Sequence, residues 1–465
     1  MRDLANKFVL VLGLGETGLS LVRWLTAQGA RVRAADSRDH PPALAAVRKD
    51  FPEIDMRCGA FRRELLEGVE MIAISPGVPM RDPLVERAMA LGIPVVGDIE
   101  LFARALPQGR CPKIIAITGA NGKTTVTSMV GAMCRAAGLD TEVAGNISPA
   151  VLDVLIKRQG NHPDVWVLEL SSFQLETTCS LNADAATVLN ISEDHLDRYR
   201  DMGEYVAAKA RIFRGEATGG VQVLNRDDAL SAGMALRGRI QVTFGLNAPP
   251  TGDDWGIAQD ADGIWLVHGS KRVMNATELQ VAGMHNVANA LAALALSRAV
   301  GIPLAPLVKG LRDFKGLPHR MERVAEIKGV VFYDDSKGTN VGATVAALQG
   351  LGCSAVLIAG GDGKGQDFRP LGAAVAQHAR AAVLIGRDAG KIAEAMKNSG
   401  IPVMQAQDMS AAVYLAAALA QPGNAVLLSP ACASFDMFRN YAHRAEVFIA
   451  AVQTLQKEAA CAPQP

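Results

Sequence analysis

A single lysine in a glycine-rich turn, Lys123 of Gly119-Ala-Asn121-Gly122-Lys-Thr124-Thr125, is well placed for phosphate chemistry. The apolar run from Lys113 to Ile117 precedes it as a buried strand, and Val126, Met129, Val130 and Met133 then recur at helical spacing until Gly138. Strand, glycine turn and helix in that order aim backbone N–H groups and the positive helix end at an anion. Lys123 adds a point charge, and the Thr124 hydroxyl can face a magnesium ion. The full phosphate-loop pattern places a glycine where this chain has Ile117. An ordinary tight turn into a helix stays open as the plainer reading.

Glu169 stands inside an otherwise apolar run, Val165 to Ser172. Burying a carboxylate there is costly unless something compensates it. A magnesium ion facing the phosphate loop would do so, and so would a structural ion pair with a lysine or arginine. His195 and Lys209, in the segment from Glu193 to Phe213, carry little signal by themselves. Asn286 and Asn289 open an alanine-rich helix one turn apart; capping accounts for Asn286 better than for Asn289.

A second glycine pattern, Gly13-x-Gly15-x-x-Gly18, joins the first strand to the first helix, and Asp36 closes the second strand. In that context it is the dinucleotide-binding fingerprint, a pocket for a phosphate and a ribose-like diol. Taken alone it would also suit a nicotinamide dehydrogenase, or glycines used only for packing. Ser75-Pro-Gly-Val-Pro79 ends the fourth strand, where open α/β sheets bind ligands, although a plain proline-glycine turn reads the same way.

The elements that must position these residues alternate strand and helix along the chain, which predicts α/β architecture with parallel sheets. A length of 465 residues allows about three domains. A proline-bracketed stretch from Leu101 to Pro112 and the break at Gly316 to Val324 divide the chain into 1–106, 107–316 and 317–465. In the third part the loops 334–340, 360–364 and 429–436 each follow a strand and are expected on one ligand edge. Lys+Arg and Asp+Glu balance at 47 each, so no global field favours nucleic acid or a membrane surface. Seven scattered cysteines without a C-x-x-C pair argue against disulfides and zinc and for a reducing cytoplasm. No apolar run approaches the ~18 residues of a membrane-spanning helix. Cys432 reads as a small buried residue, since no adjacent base is evident.

GANGKTT with ELSSFQLE, NISEDHLDRY with YVAAK, GMHNVANALAA, LPHRME, DDSKGTN, GGDGKG and SPACASFDMF together resemble the Mur ligases of peptidoglycan synthesis. GLGETG, SPGVP, GDIELF and SPACASFDMF are most similar to the branch that adds D-glutamate. The resemblance implies a Rossmann-like N-terminal domain for the UDP moiety, a central ATPase with the phosphate loop, and a Rossmann-like C-terminal domain for the amino acid. It implies a cytoplasmic, monomeric enzyme that joins D-glutamate to UDP-N-acetylmuramoyl-L-alanine through an acyl phosphate, using ATP and two magnesium ions, with no nucleic acid or membrane partner.

Carried over by motif, the resemblance assigns Gly119, Asn121, Gly122, Lys123, Thr124, Thr125, Asn289, Arg320 and Asp335 to ATP. Lys123, His195 and Lys209 are the implied catalytic residues. Thr124, Glu169, His195 and Lys209 are the implied metal ligands, the lysine as its carbamate. Gly15, Thr17, Asp36, Ser37, Arg38, Ser75 and Asn146 match the UDP-substrate contacts, and Thr339, Lys364, Ser434 and Tyr441 the D-glutamate contacts. Gly338 and Tyr441 depart from the family's alanine and phenylalanine. Two other readings stay open: another amide-forming ligase of this superfamily, and an oxidoreductase with an appended ATPase.

Overall fold

The computed structural model describes residues 4–107, 112–194, 198–214, 220–281 and 283–461. Its contacts divide it into two compact units. Unit 1 holds Met1–Leu189, Gly203–Phe244 and Ala292–Gly310; unit 2 holds Asn190–Met202, Gly245–Leu291 and Leu311–Pro465.

In unit 1, short apolar runs ended by glycine or polar turns form β1 (Phe8–Leu12), β2 (Arg31–Asp36), β3 (Asp55–Cys58), β4 (Met71–Ile74) and β5 (Val95–Val96). They pair in parallel in the order β3-β2-β1-β4-β5. The strand order reverses beside β1, so the C-terminal ends of β1 and β4 open the crevice where such sheets take ligands. Leu10, Leu12, Ile72, Ile74 and Val85 fill one face.

A second parallel sheet follows: β6 (Lys113–Thr118), β7 (Thr141–Gly145), β8 (Val165–Glu169), β9 (Ala185–Val188), β10 (Val221–Asn225) and β11 (Ile240–Phe244). Its order β11-β10-β9-β6-β8-β7 puts β6, which feeds the phosphate loop, between β9 and β8.

The stretch expected as a linker begins as helix. Asp98–Ala105 is helical, and Phe102 is buried edge-on against Trp166 of β8, ring centroids 4.9 Å apart. Apolar Ile99, Leu101 and Phe102 needed a surface to cover, and β8 supplies it; Arg110 and its neighbours lie outside the described residues. Two acids of this helix are also buried. Glu100 accepts hydrogen bonds from the Cys179 and Ser180 N–H groups at 2.7 and 2.8 Å and from the Ser180 hydroxyl at 2.7 Å. Asp98 Oδ2 accepts from Gln174 Nε2 at 2.9 Å, while Oδ1 is buried without a partner. These bonds latch the first sheet to the segment after β8.

Burial pushes the Asp98 carboxyl up from 3.8 to about 6 against the Gln174 bond. The native state therefore holds this proton where the unfolded chain has lost it. Stability tied to Asp98 is full below about pH 4 and declines as pH rises toward about 6, then stays low. Asp98→Asn is expected to flatten that part of the melting-temperature profile and to match or exceed the parent above pH 6. Parallel profiles for parent and variant would contradict the assignment.

Unit 2 contains an antiparallel meander, β12 (Trp255–Asp260), β13 (Gly263–His268) and β14 (Lys271–Asn275). Its other sheet is built from β15 (Glu322–Ile327), β16 (Val330–Asp334), β17 (Ala355–Gly360), β18 (Ala379–Ile385), β19 (Val403–Gln405) and β20 (Ala425–Leu428), ordered β15-β16-β20-β17-β18-β19. All pairs are parallel except β15 with β16, a hairpin turned at Lys328-Gly329 that the alternating pattern did not foretell. Parallel β16, β20 and β17 bring their following loops to one edge, as expected. There the Ala431 N–H donates to Gly338 O at 3.0 Å, and Asp362 and Ala433 exchange backbone bonds at 3.0 and 2.9 Å. Among the described residues no helix is long and apolar enough to cross a membrane.

Candidate functional site

The phosphate loop is built as its residue types require. Gly122 adopts φ +82° as the residue before the Lys123–Ala136 helix, and no side chain caps that helix start. A left-handed glycine there leaves the first N–H groups aimed outward at the loop. Lys123 Nζ donates to Gly119 O at 2.8 Å and to Ala120 O at 2.7 Å. Buried Lys209 Nζ donates to the same Gly119 O at 2.9 Å and rests 4.8 Å from the Tyr205 ring centroid.

Glu169 lies beside this loop because β8 pairs with β6 in the register Ile117 to Glu169. The side chain is 2 % exposed. Oε1 accepts from Asn146 Nδ2 at 2.8 Å, and Oε2 is buried with no hydrogen-bond partner. Among the described residues no lysine or arginine forms an ion pair with it, which leaves the structural-pair reading without support there. An unsatisfied carboxylate oxygen is a hard ligand of the type magnesium takes, and Thr124 offers a hydroxyl from the helix start. The donor set therefore fits a magnesium ion. His195 lies outside the described residues.

Asn146 also lines a cavity of about 500 Å³ with Gly15, Thr17, Asp36, Ser37, Arg38 and Ser75, so all seven residues expected around the UDP substrate meet there. The three glycines of the fingerprint do different work. Gly13 takes φ +86° for the turn. A Cβ on Gly18 would sit 1.9 Å from Gly13 O, whereas a Cβ on Gly15 would meet nothing within 4 Å and would point into open space. Ser75 Oγ donates to Gly13 O at 2.8 Å and ties β4 to that turn.

Asp36 is more occupied than the fingerprint suggests. Its carboxylate accepts from the Leu14 N–H at 2.6 Å and from Arg38 Nε and Nη2 at 2.8 and 2.7 Å. Burial opposes its ionisation, but the Arg38 and backbone bonds outweigh burial and hold the carboxyl below the usual range. Asp36 thus orients the glycine turn and Arg38, whose side chain is 55 % exposed, at the cavity.

Unit 2 carries the remaining expected residues. Asn289 Nδ2 donates to Asn286 Oδ1 at 3.1 Å. The helix begins at Met284, so Asn286 sits inside the first turn and is not the cap its spacing suggested. Asp335 is buried, and burial pushes its carboxyl up to about 7 despite the Ser429 hydroxyl and nearby Arg320. Ser429 Oγ donates to Asp335 Oδ2 at 2.7 Å. A Cβ on Gly338 would stand 2.6 Å from that same oxygen, so the departure from alanine lets the carboxylate lie close. Thr339 and Lys337 share a tight turn, N–H to O 2.9 Å, and Lys337 Nζ lies 3.6 Å from the Tyr441 ring centroid. Tyr441 uses its carbonyl, which accepts from Ser336 Oγ at 2.8 Å. Lys364 pairs with Asp194, Nζ to Oδ1 3.8 Å, and Ser434 is buried in the loop after β20. Cys432 is fully buried and its thiol is pushed up to about 12, as its reading as inert requires.

Arg444 went unread in the sequence. Fully buried, it donates to Ser336 Oγ and O at 3.0 and 2.8 Å and to Cys432 O at 3.1 Å, clamping two ligand-edge loops together. Nothing local in its helical context distinguishes it from a solvated arginine.

Three family models match the chain: "Mur ligase MurD-like, N-terminal domain" over 7–97, "Mur ligase middle domain" over 117–297 and "Mur ligase, glutamate ligase domain" over 319–432. Among curated relatives, the UDP-N-acetylmuramoylalanine--D-glutamate ligases of Nitrosospira multiformis and Methylobacillus flagellatus are each 58% identical over 458 residues, covering 98% of this chain and 97% and 99% of theirs. Among solved structures, UDP-N-acetylmuramate-alanine ligase MurC from Thermotoga maritima matches with TM-score 0.59 at 19% identity, covering 96% of this chain and 99% of that one. A pseudomurein peptide ligase type C from Methanothermus fervidus matches with TM-score 0.57 at 19% identity, covering 97% and 100%. The two structures speak to the fold alone.

Proposed function

The chain belongs to the Mur ligase family, and from that premise we propose that it is an ATP-dependent ligase joining D-glutamate to UDP-N-acetylmuramoyl-L-alanine in peptidoglycan synthesis. The observation that carries the site reading is Asn146, which lines the 500 Å³ cavity and at the same time holds Glu169 beside the phosphate loop. A substrate seated in that cavity has its reactive end led toward the phosphates.

The alanine carboxylate attacks the γ-phosphorus of ATP, and ADP leaves. The amine of D-glutamate then attacks the acyl carbon, the amide C–N bond forms, and phosphate leaves with the C–O bond. The first step brings two anions together, so clustered positive charge and fixed orientation are the main requirements. Lys123 and the loop N–H groups supply charge at the γ-phosphate, and Gly15, Thr17, Ser37, Arg38 and Ser75 fix the UDP end. Glu169, Thr124, His195 and Lys209 as a carbamate would hold two magnesium ions, which when bound neutralise charge on the triphosphate and the attacking carboxylate. Asn289, Arg320 and Asp335 are assigned to adenine, phosphate and ribose, and Thr339, Lys364, Ser434 and Tyr441 to D-glutamate. The corresponding domains are 1–106, 107–316 and 317–465. A cytoplasmic monomer suits this chemistry.

Phosphate release from ATP tests the function: it should require the UDP-linked alanine substrate and D-glutamate together, with L-glutamate inactive. Release without either substrate, or heat protection by NADH but not by the UDP substrate, would refute it. Mass spectrometry of bicarbonate-equilibrated protein reads the carbamate directly.

The glycine geometry yields a sharper check on the cavity. Gly15→Val should leave the melting temperature nearly unchanged, since its Cβ meets nothing within 4 Å, and raise KM for the UDP substrate. Gly18→Ala should lower the melting temperature, because its Cβ would lie 1.9 Å from Gly13 O. Equal effects of the two on folding would contradict the division of roles.

A further inference from the structure

The turn that carries Arg320 is backbone-strained on both sides. His319 has φ +63° and Met321 φ +49°, a region that a histidine visits seldom and an unbranched apolar residue hardly at all. Residues held so persist only where their surroundings over-determine them, and such sites collect around ligands.

The holding contacts are specific. His319 Nδ1 lies 2.8 Å from Asp334 Oδ2, and its N–H donates to Glu322 Oε2 at 2.8 Å. Its carbonyl accepts from the Lys337 N–H at 3.2 Å, and its ring meets Tyr441 edge-on with centroids 6.3 Å apart. Next to Asp334, the Asp335 carboxylate is held by the Ser429 hydroxyl at 2.7 Å. Asp334 Oδ1 in turn accepts from the Ser336 N–H at 2.9 Å. Two carboxylates, Asp334 and Glu322, therefore grip the residue before Arg320 through its ring and its N–H. His319, Glu322 and Asp334 also bring ligand atoms within 4.8 Å of one another, but His319 Nδ1 and Glu322 Oε2 already serve this turn.

We propose that this doubly left-handed turn, locked at His319 by Asp334 and Glu322, is a positioning device for Arg320, which fixes the direction in which its guanidinium leaves the backbone before nucleotide binds. The proposal rests on the reading of Arg320 as a phosphate ligand. A long arginine side chain loses much freedom on binding, and fixing its root in advance lowers that cost. His319 and Met321 are positioning residues and touch no reacting atom.

The test compares Met321→Asn with Met321→Gly. Both remove the same side chain, which packs at the edge of the third sheet's core, but asparagine tolerates the left-handed region while glycine frees the backbone. Met321→Gly is expected to raise KM for ATP about tenfold and Met321→Asn less than about threefold, a ratio of about threefold or more between them, with kcat and KM for the UDP substrate alike in the two. A merely structural role would lower kcat through the folded fraction and leave KM alone. Arg320→Lys is measured alongside. An unchanged ATP KM in Arg320→Lys would sink the reading of Arg320 itself; a raised KM there, with equal ATP KM in the two Met321 variants, would overturn the positioning device alone.

Discussion

Lys123→Ala is expected to cut turnover by on the order of 10³-fold or more while leaving affinity for the UDP-linked substrate within about threefold. Lys123 Nζ is held at the loop carbonyls of Gly119 and Ala120, and the residue does not line the cavity assigned to the UDP substrate. Its charge is needed where a carboxylate meets a triphosphate, so its loss is felt in the transition state and little in the binding of the sugar nucleotide. Steady-state phosphate release gives the first quantity and calorimetric titration of the UDP substrate the second. A folded variant that no longer binds the UDP substrate would overturn the separation of the two sites.

Glu169→Gln is the second large effect. The amide keeps the shape of the side chain and can still accept from Asn146, but it replaces the partnerless Oε2 with an N–H₂ group that repels a cation. Turnover should fall by on the order of 10³-fold. The protein itself should be no less stable, because a buried uncompensated charge is removed with little change in packing. The decisive readout is thermal: magnesium added with ATP should raise the melting temperature of the parent and leave that of Glu169→Gln unmoved. A variant that keeps both its turnover and its magnesium response would end the metal assignment at this residue.

Much of this site was legible because its signals are local. The phosphate loop and the Gly13 to Gly18 turn are backbone requirements written in glycine at fixed spacing. Ser75 and the loops after β16, β17 and β20 follow from where parallel strands end. What escaped notice is long-range. Arg444 stands 108 residues from the Ser336 it clamps, and Glu100 about eighty from the N–H groups it accepts. Neither has a spacing that a linear reading can find. Asn286 misled for the opposite reason: its type suits a cap, but the helix starts earlier at Met284. Leu101–Ala105, the C-terminal part of the latch helix, reads as part of a proline-bracketed connection because the nearby prolines outweigh its short apolar stripe.

The burial of Cys432 bears on how the enzyme could be chemically labelled. A thiol raised to about 12 and shut away from solvent will not be alkylated at neutral pH, although it lies in one of the loops at the edge assigned to D-glutamate. Among the described residues, maleimides would instead find exposed Cys58, Cys179 and Cys353. Of these, Cys179 donates its own N–H to Glu100, so a fluorophore there would sit on the latch between the two sheets of unit 1 and leave the ligand edges untouched.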